Sequence, residues 1–189
     1  MAVSSMMLAL GTPAPHFALL DTVSGDTVAL GDLADKKALL VMFICNHCPY
    51  VQHVAGELAQ LGRDYEGTDV GIVAISPNDP VAYPEDGPDA MALEAQRRGY
   101  VFPYLFDETQ EVAASYTAAC TPDFFLFGPD RRLVYRGRLD ASRPGSGVPV
   151  TGDELRSAIE AVRRGEPVSA TQYPSMGCSI KWAPGNQPT

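Results

Sequence analysis

A Cys-x-x-Cys motif, Cys45 to Cys48, lies where an apolar run ends and a helical pattern begins, and this junction limits what the chain can fold into. Residues 38–44 are continuously apolar, as in a buried strand, and residues 49–65 have apolar side chains at helical spacing. A helix N-terminus presents unpaired N–H groups and a partial positive charge, which lower the pKa of a thiol placed there. Two thiols at this spacing can close a small disulfide ring, so the motif indicates disulfide exchange.

The charge balance argues against two classes of partner. The 189 residues include 14 Lys and Arg against 23 Asp and Glu, a formal net charge of −9. Nucleic acids and anionic membranes require clustered basic side chains, so neither is expected as a partner.

No apolar stretch approaches the roughly 20 residues that span a bilayer. Residues 1–10 have no positive charge before their short apolar patch, so no secretory signal is predicted. We therefore expect a cytoplasmic protein, in which a Cys pair is more often catalytic or metal-binding than structural.

The remaining pattern predicts a single α/β domain over residues 1–189. The expected elements are a β-hairpin within an N-terminal extension (1–34), a buried strand at 70–76, strands at 124–127 and 132–138, and helices at 89–98 and 153–164. Strand, helix and strand followed by a hairpin and a helix imply a central mixed β-sheet with helices on both faces. Residues 165–189 are rich in Pro and Gly and are predicted to form an irregular C-terminal tail.

Three segments resemble the thioredoxin superfamily, and within it the redoxin branch of AhpC/TSA-like peroxiredoxins and thiol–disulfide oxidoreductases. They are Pro15-His16-Phe17-Ala18-Leu19 with Leu30-Gly31-Asp32-Leu33, then Phe43-Ile44-Cys45-Asn46-His47-Cys48-Pro49, and Cys120-Thr121-Pro122-Asp123-Phe124-Phe125-Leu126. The resemblance implies a thioredoxin-like (redoxin) fold with an N-terminal hairpin extension. It also implies a cis peptide bond between Thr121 and Pro122, which would bring the Thr121 backbone beside the dithiol, where an extended substrate chain can pair with it.

Roles for the motif residues follow from their expected positions. Cys45 is predicted to be the attacking thiolate, because it lies nearer the exposed helix start, and Cys48, one turn inward, the resolving thiol. His47, between them, is expected to favour the Cys45 thiolate, the alternative being an exposed turn residue of no electrostatic consequence. Cys45, His47 and Cys48 could also bind a metal with Cys120 or Cys178. Structural zinc usually takes two separated ligand pairs and only one is clear here, so neither a metal nor another cofactor is predicted.

Two further cysteines and a missing acid depart from the thioredoxin pattern. Cys120 directly precedes Thr121, and Cys178 lies in the tail; either could relay oxidising equivalents to or from the central pair. The alternative is that both are small buried hydrophobic residues. Thioredoxins usually carry a buried acid on the strand ahead of the dithiol, whereas residues 39–44 contain none. Glu57, His47 or water are the remaining candidates for the general base.

The preferred function is a thiol–disulfide oxidoreductase acting on protein or small-molecule disulfides, with a thioredoxin-type protein as the candidate electron donor. A peroxiredoxin-like thiol peroxidase, an antioxidant enzyme, is the first alternative. Peroxiredoxins carry Pro-x-x-x-Thr/Ser-x-x-Cys, and neither motif cysteine has a Thr or Ser three residues before it or a Pro seven residues before it.

A metal-binding module similar to the Sco proteins is the second alternative. Those proteins use a Cys-x-x-x-Cys pair and a distal His. Here the spacing is one residue shorter, and no His follows His53.

Overall fold

The computed structural model describes residues 2–188 and contains a seven-stranded and a three-stranded β-sheet. The larger sheet consists of β2 (Ala18–Asp21), β3 (Thr27–Ala29), β4 (Ala38–Phe43), β5 (Val70–Ser76), β6 (Tyr104–Phe106), β8 (Asp123–Phe127) and β9 (Leu133–Gly137). The smaller sheet consists of β1 (Ala2–Ser4), β7 (Cys120–Thr121) and β10 (Met176–Ser179). The helices are α1 (Pro49–Tyr65), α2 (Pro88–Arg98), α3 (Glu111–Ser115) and α4 (Asp153–Arg164). Within residues 2–188, no helix combines the length and apolar character needed to cross a membrane.

The larger sheet is mixed, as the sequence predicts. Its strand order is β3-β2-β6-β5-β4-β8-β9. The β4–β5 and β5–β6 pairs are parallel, while the remaining pairs are antiparallel. The predicted N-terminal hairpin is present as β2 and β3. This is the α/β architecture expected from the resemblance to redoxins.

The central strand β4 is buried along its whole length, because helices and loops cover both faces of the sheet. Helices α1, α2 and α4 contribute to the core on one face, and α3 with Phe17 packs on the other. The strand leads directly into residues 44–48 and then into α1. The motif therefore lies at the end of a strand that packing holds firmly on both sides.

The tail differs from the sequence prediction. Residues 165–189 were expected to be irregular, yet Met176–Ser179 forms β10, the middle strand of the smaller sheet, between β1 and β7. The four-residue run Met-Gly-Cys-Ser is too short for an alternating pattern and includes glycine, which strands disfavour. Hydrogen bonds to two distant strands supply the order that local sequence does not indicate.

Candidate active site

Cys45 and Cys48 lie on the connection between β4 and α1, and both are buried, with 1% and 0% of their surface exposed. Both sulfurs contact Thr121. The Cys45 Sγ is 3.2 Å from the Thr121 hydroxyl, and the Cys48 Sγ is 3.1 Å from the Thr121 carbonyl oxygen. The peptide bond between Thr121 and Pro122 is cis. The structure thus brings together the dithiol and the Thr-Pro segment, as the resemblance implies.

The helix start belongs to Cys48, which differs from the sequence prediction. Helix α1 begins at Pro49, a residue whose missing N–H suits a first helical position, and Cys48 is its N-cap. Cys45 lies outside the helix, in the turn before it. The prediction of an exposed Cys45 at the helix N-terminus, with Cys48 one turn inside, is therefore wrong in its geometry.

The two thiols have pKa values shifted in opposite directions. The neighbouring Cys45 thiol, with smaller contributions from Cys178 and the Val51 backbone N–H, lowers the pKa of Cys48 to about 4 against the opposing effect of burial. The proximity of Cys48, with burial and the Asp86 carboxylate, raises the pKa of Cys45. The Thr121 carbonyl, 3.1 Å from the Cys48 sulfur, favours the protonated thiol and so opposes the shift of Cys48. The two shifts favour ionisation of Cys48 over that of Cys45.

Asp86 shapes the turn that holds the motif, and the sequence analysis missed it. Its side chain is fully buried. One carboxylate oxygen accepts the backbone N–H groups of Asn46 at 2.8 Å and His47 at 3.2 Å. The other accepts the Asn78 amide at 2.7 Å and lies 2.5 Å from His47 Nδ1. Because Asp86 belongs to a polar Pro-Glu-Asp-Gly segment typical of an exposed loop, only the tertiary contact identifies its role.

His47 is directed at Asp86 and not at the thiols. Its ring stacks on Tyr83, with centroids 4.9 Å apart and planes 9° from parallel, and 21% of its side chain is exposed. The charged group that acts on Cys45 is the Asp86 carboxylate, which disfavours a thiolate there. His47 thus helps to hold the turn through Asp86, and its support of a Cys45 thiolate stays a prediction.

Donor atoms of Cys45, His47 and Asp86 lie within 4.8 Å of one another, which is the spacing of a metal site. A carboxylate offers about four lone-pair positions. Those of Asp86 are already used by two backbone N–H groups, the Asn78 amide and the His47 ring. A metal at this position would have to displace the hydrogen bonds by which Asp86 holds the turn. Asp86 and His47 are therefore better suited to holding the motif than to binding a metal.

The two additional cysteines differ in where they point. Cys178 lies on β10 opposite Thr121, whose carbonyl oxygen contacts the Cys48 sulfur, and it packs against the buried cluster that contains the dithiol. Cys120, on β7, instead donates to the Pro122 carbonyl at 3.6 Å. Burial, with the nearby Asp123 carboxyl, raises the pKa of Cys120. Of the two relay candidates, Cys178 is the one whose neighbourhood lowers the pKa of Cys48, whereas the Cys120 thiol is directed at the Pro122 carbonyl.

A buried acid lies on the strand next to β4, although β4 itself carries none. Asp123 on β8 pairs with Phe43 at the end of β4, and burial raises its pKa well above the usual range. Along β8, Phe124 packs in the cluster that contains the dithiol while Phe125 packs in the other one. Because side chains alternate along a strand, Asp123 faces away from the dithiol.

Glu57, one of the candidate bases, is engaged elsewhere. Its carboxylate accepts a hydrogen bond from Arg156 at 2.6 Å. Within the motif, the Cys45 thiol is the neighbour that acts most strongly on the pKa of Cys48.

Comparisons with known proteins agree with this architecture. Residues 10–136 match the AhpC/TSA family. An uncharacterized conserved protein from Geobacillus kaustophilus is 53% identical, with 98% of each chain covered and a TM-score of 0.96. A hypothetical protein from Sinorhizobium meliloti 1021 is 47% identical over 96% of this chain and 99% of that one, with a TM-score of 0.94. A secreted disulfide oxidoreductase from Mycobacterium tuberculosis shares the fold at 19% identity, covering 77% of this chain and 95% of that one, with a TM-score of 0.61. No curated protein matches the chain.

Proposed function

Because this chain belongs to the AhpC/TSA family, we propose that it is a thiol–disulfide oxidoreductase acting through Cys45 and Cys48. The observation that carries the proposal is the paired state of the two thiols. Both sulfurs contact Thr121 beside the cis peptide bond to Pro122, and Cys48, the N-cap residue of α1, has a pKa that the neighbouring Cys45 thiol lowers. A nucleophile with a second thiol in contact is the arrangement that disulfide exchange requires.

The proposed reaction begins at Cys48. Its thiolate attacks one sulfur of a substrate disulfide, forms a mixed disulfide with that half and expels the other half as a thiolate. Cys45 then attacks the Cys48 sulfur, the bond between Cys48 and the substrate breaks, and the second half of the substrate leaves as a thiol with the proton of Cys45. The substrate gains two electrons, and the protein is left with a Cys45–Cys48 disulfide. This order of attack is the reverse of the one predicted from the sequence.

The proposed substrates are protein or small-molecule disulfides, and a thioredoxin-type dithiol protein is the proposed electron donor. Support comes from the chemistry of the pair, which needs no cofactor to move two electrons between sulfur atoms.

Single serine variants test the proposal. Reduction of a glutathione mixed disulfide or of insulin should fall by about 100-fold or more in Cys48→Ser and in Cys45→Ser, since each removes one of the two sulfurs that form the disulfide. Cys120→Ser is the matched control, because Cys120 is equally buried but points at the Pro122 carbonyl; it should retain wild-type turnover. Wild-type activity in both Cys45→Ser and Cys48→Ser would overturn the proposal.

A thiol peroxidase is the second candidate, favoured by the low pKa of Cys48 at a helix N-terminus, since a thiolate is also the nucleophile that attacks peroxide. The Thr121 hydroxyl, however, contacts the Cys45 sulfur and not that of Cys48. Hydrogen peroxide consumption separates the two functions. Turnover that survives in Cys45→Ser and is lost in Cys48→Ser would favour the peroxidase.

A further inference from the structure

Strand β10 occupies the edge of β7 beside the dithiol. Cys178 pairs with Thr121 and Ser179 with Cys120, while β1 covers the opposite edge of β10. The fit is close: a Cβ atom on Gly177 would stand 2.0 Å from the Thr121 carbonyl oxygen. The tail thus lies where the resemblance implies that an extended substrate chain would pair.

This pairing brings a third thiol to the Cys48 sulfur. Cys178 lies directly opposite Thr121, whose carbonyl oxygen is 3.1 Å from the Cys48 sulfur, and it packs against the buried cluster that contains the dithiol. Exposure also distinguishes it from the other three cysteines, because Cys45, Cys48 and Cys120 are buried and Cys178 is partly open to solvent. Cys178 therefore lies beside the buried pair and is the most exposed of the four cysteines.

We propose that Cys178 is a third redox residue, which takes over the disulfide from the buried pair and presents it to an external dithiol protein. This inference rests on the proposed function. In the oxidised protein, the Cys178 sulfur attacks Cys48, the Cys48–Cys178 bond forms as the Cys45–Cys48 bond breaks, and the proton of Cys178 ends on Cys45. The protein is neither oxidised nor reduced in this step.

The external dithiol completes the reaction at the accessible sulfur. One of its thiolates attacks Cys178, the bond to Cys48 breaks, and Cys48 leaves as a thiolate. The second external thiol then attacks the mixed disulfide, releases Cys178 as a thiol and leaves the donor as a disulfide, so that two electrons have entered the protein.

The two steps have different leaving groups. In the external step Cys48 leaves, and because Cys48 has the lowest pKa of the three sulfurs it is the better leaving group. In the internal step Cys45 leaves; its raised pKa makes its thiolate the poorer leaving group, and the proton transferred from Cys178 neutralises it. Burial and the neighbouring Cys48 raise the pKa of Cys178 to about 11, and the positive charge of Lys181 opposes this rise.

Disulfide mapping tests the exchange partner. The reduced full-length protein is treated with diamide, its free thiols are alkylated, and its peptides are analysed by mass spectrometry without reduction. Cys45→Ser should form an intramolecular Cys48–Cys178 disulfide. Adding Cys120→Ser should leave this disulfide unchanged, and adding Cys178→Ser should remove it. The inference is overturned if Cys45→Ser leaves Cys48 and Cys178 free or forms only intermolecular links.

Reduction kinetics test the exit role. Starting from the Cys45–Cys48 disulfide, reduction by a thioredoxin dithiol should be at least about tenfold slower in Cys178→Ser than in wild type or Cys120→Ser, because the relay thiol is absent. Thermal unfolding of Cys178→Ser, whose side chain is nearly isosteric, controls for loss of β10. Wild-type kinetics in Cys178→Ser would refute the inference while leaving the proposed function intact. If the wild-type protein forms no Cys45–Cys48 disulfide, the proposed function itself fails.

Discussion

At the scale of single residues, the two motif cysteines differ because one is at a helix N-terminus and the other is near a carboxylate. Cys48 is the N-cap residue of α1 and has a lowered pKa, whereas Cys45 lies in the preceding turn near buried Asp86 and has a raised pKa. A Cys-x-x-Cys pattern does not indicate which thiol carries the charge. That depends on where the first helical turn begins and on which distant residues pack against the turn.

A pH titration of the reduced protein should locate this charge. Cys48 has a lowered pKa, so its thiolate persists as the pH falls from neutral and becomes protonated only as the pH passes through about 4. The ultraviolet absorbance of the thiolate should follow that transition. Cys48→Ser should abolish it and Cys120→Ser should preserve it. A thiolate that appears only near the ordinary cysteine pKa of about 8.5 would contradict the assignment.

At the scale of elements, the contact that matters most is between β10 and β7, and it depends on a glycine. Gly177 has no side chain, so its backbone can approach the Thr121 carbonyl closely enough to place Cys178 against Cys48.

Gly177→Ala should displace β10 and destabilise the fold by about 2 kcal/mol, because the methyl group meets backbone atoms that cannot rotate away. Urea unfolding measures the loss, and labelling of Cys48 with a thiol reagent should become faster. Gly56→Ala is the control: it is exposed on α1 with open space around its Cβ position and should stabilise the fold by roughly 0.5 to 1 kcal/mol. A Gly177→Ala variant as stable as wild type would show that β10 is loosely held.

Elements with strong local patterns were predictable, and those built by distant pairing were not. The apolar run of β4 and the helical spacing of α1 match the structure almost residue for residue. Strand β10 and the short Pro84–Asp86 turn have no such pattern. Both are defined by partners far away in sequence, and both contribute to the candidate site.

At the scale of the whole molecule, one buried amide connects the tail to the active-site turn. The side-chain oxygen of Asn78 accepts a hydrogen bond from the Lys181 backbone N–H at 2.9 Å, and the side-chain NH₂ group of Asn78 donates one to Asp86 at 2.7 Å. Asp86 in turn holds the backbone of Asn46 and His47. This side chain therefore links the position of the tail to the shape of the motif, in addition to the pairing of β10 with β7.

Asn78→Ala should loosen both regions at once and cost about 2 kcal/mol, since it leaves buried partners without their hydrogen bonds. Hydrogen exchange measured by mass spectrometry should quicken together at residues 45–48 and 176–182. Asn186→Ala provides a control of the same residue type, because Asn186 is exposed and its side-chain amide donates to the Thr109 carbonyl and the Gln110 side chain, away from the motif; exchange at 45–48 should not change. Faster exchange in only one of the two regions of Asn78→Ala would show that they are not linked.

The site as a whole was predictable only in part. The dithiol, the Thr-Pro segment and the fold could be inferred, because each is a local motif or a periodic pattern. The position of Cys48 at the helix start and the placement of Cys178 opposite Thr121 could not, because the first depends on where helix α1 begins and the second on the pairing of β10 with β7.

The tethered position of β10 sets a threshold for competing chains. A segment held on the same molecule acts at an effective concentration on the order of millimolar, so an outside polypeptide pairs with β7 only if its affinity exceeds that local competition. Proteins whose disulfide-bearing segments bind weakly would not displace β10. The tail would therefore restrict access to partners that bind β7 strongly enough to displace it.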